Sequence, residues 1–343
     1  MADDEKNMTI DQVAELAYVS RSVVSRVLND HPNVSDEARE RVLEVIEEHN
    51  YRPNSMARSL ATDRSYELSI LTPRRGEESL ANGYWPLLYS GIFEQCLERG
   101  YFVSLSMVSP QMKDKIRDRA GDQRFDGFIF ITREVTEIVE DTFQDRSLPM
   151  VLIGDDPAWE DLLSIDIDNV EGGYKAGAHL CSLGYDDIGV LMGNPHLKET
   201  EDRREGFAAA LDDSGRTVAE EHIATGDFSQ ESGYDAITRW IERDTVPDAL
   251  FCMSDTMAMG ALLALHEAGL RVPDDVALVG FDGLPSSRYT VPPLTTVRQP
   301  VYEKGQVAVD ILVDKIEDTN TSTDYEELAP ELVVRQSCGA NAA

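Results

Sequence analysis

The chain has 343 residues, 42% of them hydrophobic, and a formal net charge of −33 from 64 Asp and Glu against 31 Lys and Arg. Its length suits two or three domains and its apolar share excludes wholesale disorder. The lack of any apolar run of about 18 residues argues against a membrane partner, and the charge against binding nucleic acid by bulk attraction.

The start, "MADDEKNMT", has neither the basic residues nor the apolar stretch of a secretory signal, so a cytoplasmic protein is expected. Cys96, Cys181, Cys252 and Cys338 are far apart, which fits reduced thiols better than disulfides or a zinc site. The sequon at Asn33 is then a chance match. The acid excess, with only seven lysines, fits two readings. One is an ordinary acidic protein of a mesophile. The other is adaptation to a salty cytosol, where a dense carboxylate surface stays hydrated and self-repulsion is screened.

Thr9 and Gln12 form a capping box for a first helix, along which Ile10, Val13, Leu16 and Ala17 recur at helical spacing until Tyr18-Val19. Ser20 caps a second helix with Val23, Val24, Val27 and Leu28 on its buried side. Arg21, Ser22, Ser25 and Arg26 lie on the other side, and a polar break follows at Asn29. Ser35 caps a third helix, with Ala38, Val42, Val45 and Ile46 inward, running to about His49-Asn50. Three short helices with a three-residue turn between the first two make a helix-turn-helix. Its recognition helix begins at Ser20, so its first residues reach base edges. Of Arg21 and Arg26, one reads or flanks bases and the other holds phosphate. A plain three-helix cap with solvated arginines is the alternative.

"YRPNSMARSLAT", residues 51–62, follows directly. Together with "SRSVVSRVLND" and "NVSDEARERV" it closely resembles the lac repressor (LacI/GalR) family of bacterial transcription regulators. The resemblance implies a hinge helix over "PNxxAxxL", here Asn54, Ala57 and Leu60, with Arg58 in the same stretch. Paired with its twin in a homodimer, such a helix forms on palindromic operator DNA, and its leucine wedges into the minor groove. Seven residues are too few for a stable isolated helix, so folding only on DNA is physically sensible. Two departures stand out. Tyr18 occupies a turn position where the family has Gly or Asn, and Val23 replaces its usual Thr. Residues 1–62 also hold twelve acids and seven bases, so DNA affinity must come from local arginines.

From Tyr66 onward, apolar runs such as "LSIL", "GFIFI", "PMVLI", "IGVLM", "ALFCM" and "VALVGF" alternate with helical patterns. This is β-α-β repetition with parallel sheets, long enough for two lobes. The expected fold is an N-terminal all-α helix-turn-helix domain plus an α/β core of two doubly wound lobes. The divisions are 1–52, a hinge and linker at 53–65, and a core at 66–338. Lobe 1 takes about 66–167 and 296–325, and lobe 2 about 168–295 and 326–338.

Ligands of open α/β sheets bind beyond the carboxyl ends of strands. There stand Thr132, Arg133, Asp155, Ser254, Asp255 and Asp282, with Tyr84, Trp85 and Phe228 in loops on the same side. Carboxylates, an arginine and aromatic faces suit a ligand rich in hydroxyls, such as a sugar. Taken singly, Asp255 is as readily a helix cap and Tyr84 or Trp85 lid packing.

The resemblance extends over "DNVEGGYKAGAHLCSLGYDDIGVL", "DRREGFAAAL", "DTMAMGALLALHEAGLRVPDDVALVGFD" and "PPLTTVRQP", nearly the whole chain. It implies a core similar to periplasmic sugar-binding proteins, with three crossover strands and the effector between lobes. It makes Arg203 of "RxxGF" and Asp282 of "GFD" effector anchors, and Tyr84, Trp85 and Phe228 the aromatics over the ligand. Purine-responsive members have an Arg and a Thr where this chain has Leu197 and Glu199, which argues against a purine. Relatives also place an aspartate at position 154, where this chain has Gly154 followed by Asp155. No GxSxG, Walker A loop, HExxH or histidine pair at ligand spacing is present, so neither enzymatic chemistry nor a cofactor or metal is expected. The leading function is a homodimeric, effector-controlled transcription regulator. The rivals are a solute-binding protein and a sugar-modifying enzyme.

Overall fold

The computed structural model describes residues 8–28, 33–49, 51, 64–73, 83–121, 124–143, 148–156, 159, 162–319 and 325–340. The chain divides into two compact units, Met1–Tyr66 and Glu67–Ala343.

In the first unit, helix α1 spans Ile10–Leu16, α2 Arg21–Leu28 and α3 Asp36–Glu48. The capping box forms as expected, with Thr9 N–H donating to Gln12 Oε1 at 2.7 Å and Gln12 N–H to Thr9 Oγ1 at 3.3 Å. Val13, Ala17, Val24, Val27, Val42 and Tyr51 close a small core. Tyr18 accepts the left-handed turn position with φ 55°, and its ring is 87% exposed. The turn therefore keeps its backbone, and the strain of a β-carbon there, about 1–2 kcal/mol, is tolerated.

The second unit holds two six-stranded sheets. The first is ordered β11-β5-β4-β3-β1-β2. It comprises β1 (Glu67–Pro73), β2 (Phe102–Val108), β3 (Gly127–Ile131), β4 (Met150–Ile153), β5 (Leu163–Ile167) and β11 (Tyr325–Leu328). Every pairing in it is parallel. The second is ordered β12-β10-β9-β8-β6-β7. It comprises β6 (Ile188–Met192), β7 (Ile223–Thr225), β8 (Ala249–Cys252), β9 (Ala277–Asp282), β10 (Thr295–Arg298) and β12 (Glu331–Val333). Only its β10–β12 pair is antiparallel. Helices α4 (Tyr84–Glu98), α5 (Lys113–Gly121), α6 (Arg133–Val139) and α11 (Val301–Glu317) belong to the first sheet. Helices α7 (Asn169–Ser182), α8 (Lys198–Asp213), α9 (Gln230–Arg243) and α10 (Asp255–Glu267) belong to the second.

The fully buried strands read as unbroken apolar runs, as parallel strands covered on both faces do. The chain passes between the sheets three times: after Ile167, at residues 299–300 and at 329–330. The last two passages fall a few residues beyond the 296 and 326 read from sequence. Strands β10 to β12 have only three or four residues each and mixed polarity, so they carry no usable periodicity.

Gly172 and Gly173 lie inside α7, where they allow close packing. A Cβ on Gly173 would stand 2.1 Å from Arg203 O on α8, and one on Gly206 of α8 1.8 Å from Val170 O. The two backbones are nearly in contact, and this sets the position of Arg203. Gly206→Ala is expected to destabilise the chain by about 1–3 kcal/mol through overpacking. Urea unfolding would show this as a lower midpoint at unchanged slope.

Candidate functional site

On α2 the buried valines turn Arg21, Ser22 and Arg26 to the exposed side, with Ser25 half-buried beside them. Arg21 Nε lies 3.9 Å from Asp11 of α1, a loose surface pair that a phosphate or base could replace. The hydroxyls of Ser20 and Ser22 are 2.8 Å apart at the start of α2, and Thr9 is spent largely on capping α1. Asn29, Asn54, Ala57, Arg58 and Leu60 lie outside the described residues.

In the second unit, the passages between the sheets bring a group of buried polar side chains together. Arg203, 5% exposed, donates from Nε to Asn169 Oδ1 at 2.9 Å and from Nη1 to Met253 O at 2.7 Å. Its guanidinium carbon sits 3.8 Å from the centroid of the Phe281 ring, a cation–π contact that fixes its plane. Asp282, 6% exposed, ends β9 with Oδ1 4.0 Å from Arg203 Nη1 and accepts from Gln299 Nε2 at 2.7 Å. Burial pushes its carboxyl up to about 6, against the pull of the Arg203 charge and the Gln299 hydrogen bond. This couple is a charged, oriented donor–acceptor pair at the carboxyl end of β9.

Tyr84 and Trp85 open α4 with ring centroids 5.2 Å apart, edge to face, and both are half-buried. The Tyr84 ring lies 5.5 Å from Lys304 Nζ, and burial raises the pKa of its hydroxyl. Phe228 lies across Gly193, where a Cβ would come within 1.9 Å of its ring; only glycine at the end of β6 leaves that space. Thr132 precedes α6, and its buried Oγ1 has no hydrogen-bond partner among the described residues. Thr132 (φ 69°), Phe228 (φ 70°) and Asp282 (φ 108°) all hold positive φ. Asp244 and Asp318 do so too, but as left-handed helix ends, where Asp is tolerated. The other three follow or end strands with no such terminating role, and strain of this kind gathers at binding sites.

Four expected residues are placed differently. Ser254, not Asp255, caps α10, its Oγ accepting from Met257 N–H at 3.1 Å. Asp255 is 0% exposed and accepts from Leu284 N–H at 2.7 Å, so it ties the loop after β9 to α10 instead of meeting a ligand. Burial, and then the nearby Asp282 charge, hold its carboxyl well above the usual range. Arg133 is exposed and paired with Glu137 at 3.2 Å and Asp156 at 3.6 Å. Asp155 is half-exposed, 3.4 Å from Lys198 Nζ, an ion pair joining the loop after β4 to the start of α8 across the lobes. Asp156, not Asp155, is the buried carboxylate of that pair, and it accepts from Thr136 Oγ1.

Asn169, Gln299 and Lys304 were not among the expected site residues. Asn169 and Gln299 sit at the passages between sheets, inside the quoted "DNVEGG" and "TTVRQP" stretches. Lys304 shares the buried stripe of α11 with Val301, Gly305, Ala308, Val309 and Leu312. A lysine at a core position of an amphipathic helix was the available signal.

The profile described as "Bacterial regulatory proteins, lacI family" matches residues 9–54, and "Periplasmic binding protein-like domain" matches 178–338. The HTH-type transcriptional repressor PurR of Actinobacillus pleuropneumoniae serotype 3 (strain JL03) is 34% identical over 335 residues, 96% of this chain and 98% of that protein. The lac repressor dimer bound to operator and the anti-inducer ONPF superposes with TM-score 0.84 at 28% identity, over 97% of this chain and 99% of that one. The transcriptional regulator CelR in complex with cellobiose gives 0.74 at 29%, over 96% and 99%. No helix among the described residues is long and apolar enough to cross a membrane. With its helix-turn-helix, its two-sheet core and these relatives over nearly its whole length, the chain belongs to the lacI family of bacterial regulatory proteins and is a DNA-binding transcription regulator of that family.

Proposed function

We propose that this regulator is a cytoplasmic homodimeric repressor. It binds a palindromic operator and is controlled by a sugar or sugar derivative held between the two lobes of its core. Arg203 and Asp282 carry the effector reading: a buried cation and carboxylate, oriented by side-chain amides, near Tyr84, with the strained Phe228 across Gly193 at the end of β6 of the same sheet. Such a set can donate to and accept from vicinal hydroxyls while rings cover the apolar side of a pyranose. The cellobiose complex of CelR supports the same class. A purine base is the second reading, favoured by the name of the PurR relatives and opposed by Leu197 and Glu199 at the start of α8. A thermal-shift screen of cellobiose, other mono- and disaccharides and purine bases separates the two, because a binder stabilises the folded core by mass action. Stabilisation by a purine and by no sugar would overturn the sugar reading.

On the DNA side, Arg21 and Arg26 supply the contacts, with Ser20, Ser22 and Ser25 beside them and residues 54–60 entering the minor groove through Leu60. Arg21, at the N-terminus of the recognition helix, reads bases. Arg21→Ala is expected to weaken operator binding by about 1–3 kcal/mol with little effect on random DNA. Arg26→Ala should weaken both alike and reduce the slope of log affinity against log salt by about 1. Gel shifts at several KCl concentrations measure both. If a chain lacking residues 1–62 bound the operator as tightly, the interface would lie elsewhere.

A further inference from the structure

We propose that Lys304, on α11 of the first lobe, is a positioning residue for the two effector anchors of the second lobe, acting through two separate hydrogen-bonded arms. On one arm Lys304 Nζ lies 3.3 Å from Asp166 Oδ1, Asn169 Nδ2 donates to Asp166 Oδ2 at 3.4 Å, and Arg203 Nε donates to Asn169 Oδ1 at 2.9 Å. On the other arm Lys304 Nζ donates to Gln299 Oε1 at 3.4 Å, and Gln299 Nε2 donates to Asp282 Oδ1 at 2.7 Å. The arms close at the 4.0 Å approach of Arg203 to Asp282. The result is a ring of two cations, two carboxylates and two amides that crosses between lobes at both Asn169 and Gln299.

The ring has a direction. Each amide accepts from a cation on one side and donates to a carboxylate on the other. Turning either amide over would set donor against donor and acceptor against acceptor. Lys304 is only 3% exposed, and its third contact is the Tyr84 hydroxyl, so it has no free valence for a ligand. Its ammonium instead fixes which way Gln299 faces and where Asp166 stands. These two determine the orientation of Asp282 and, through Asn169, of Arg203. Removing the ammonium frees Gln299 to rotate and leaves Asp166 Oδ1 held by Ile167 N–H at 2.8 Å alone, which weakens one of the two bonds of Asn169 Nδ2, the other going to Ile167 O at 3.2 Å; Lys304 itself touches neither anchor. A buried network of this kind is cooperative, and partial loss is felt along its length.

The meaning of this ring for effector binding rests on the effector reading above, but its test needs no effector. In the full-length protein, the side-chain Nε–H of Arg203 is followed by nitrogen–proton NMR and assigned by its loss in Arg203→Lys. Lys304→Met should shift this resonance and speed its exchange with solvent at least tenfold, since Asp166, which helps hold Asn169, loses its counter-charge. Asp310→Asn, on the same helix as Lys304, disturbs the ion pair with Arg99 at the end of α4 and should leave the resonance unchanged. Should Lys304→Met fail to fold because Asp166 is left uncompensated, Lys304→Met/Asp166→Leu removes both charges and must show the same acceleration. An Arg203 Nε–H unchanged in position and exchange in the folded variant overturns the proposal and reduces Lys304 to a local partner of Asp166. That outcome leaves the effector reading intact. Failure of every sugar in the melting screen would in turn leave the ring intact.

Discussion

Arg203→Ala is expected to weaken effector binding at least tenfold while operator binding persists. A charged side chain that hydrogen-bonds a ligand contributes roughly 1.5–3 kcal/mol, and a loss of that size is a tenfold or greater change in affinity. Removal also leaves Asp282 buried beside Gln299 without its cation. Asp282 titrates at about 6 in the folded protein against an ordinary 3.8, so between those values the unfolded chain holds fewer protons than the folded one. Its burial therefore costs stability at neutral pH, and that cost fades as pH falls through 6 toward the ordinary value. Without Arg203 the folded-state value rises further, so the variant should lose more stability relative to wild type at pH 8 than at pH 5. Melting curves at the two pH values and titrations with the effector identified by the screen test both parts. An Arg203→Ala protein that responds at unchanged effector concentration would place the effector site elsewhere.

The parts of this fold that were legible in the sequence are those where one physical pattern covers several residues. The capping box at Thr9-Gln12, the valine stripe of α2 and the apolar strands β3, β4, β6, β8 and β9 each repeat a signal. The short strands do not. In β5 the run Leu163–Ile167 is interrupted by Asp166, whose carboxylate is retained for Lys304 and Asn169, a pairing invisible until the chain folds. The site divides in the same way. Arg203 and Asp282 are recognisable from their short motifs, and the structure brings them within 4.0 Å. Asp255 stands at the end of a strand as a ligand contact should, yet one residue of register decides whether such a side chain caps a helix, faces the cleft or turns under the sheet. That choice depends on the loop after β9, whose Leu284 N–H the carboxylate accepts. Asn169 meets Lys304 only through Asp166, and a relation between residues over a hundred positions apart has no local signature.

The fold should depend steeply on salt. Acids exceed bases by 33, so a large negative charge is left uncompensated over the chain. In dilute buffer near 0.01 M the screening length is roughly 30 Å, and carboxylates repel one another across a whole lobe. Near 1 M it is about 3 Å, and only charges in contact still interact. Salt also weakens the attractive surface pairs, Lys198 with Asp155 among them. Each exposed pair contributes only about 0–1 kcal/mol, whereas the repulsion sums over every unpaired acid, so the balance favours the folded state. A net gain of about 3 kcal/mol would raise Tm by roughly 6–12 °C for lobes of this size. The shape of the rise separates the two readings of the acidic composition. Screening alone is largely complete once the Debye length reaches about 10 Å, near 0.1 M. A surface adapted to a salty cytosol should go on gaining stability up to molar KCl. Differential scanning calorimetry from 0.01 to 1 M KCl follows the whole curve. A Tm that levels off near 0.1 M identifies an ordinary acidic protein, and one flat throughout removes charge repulsion as a determinant of stability.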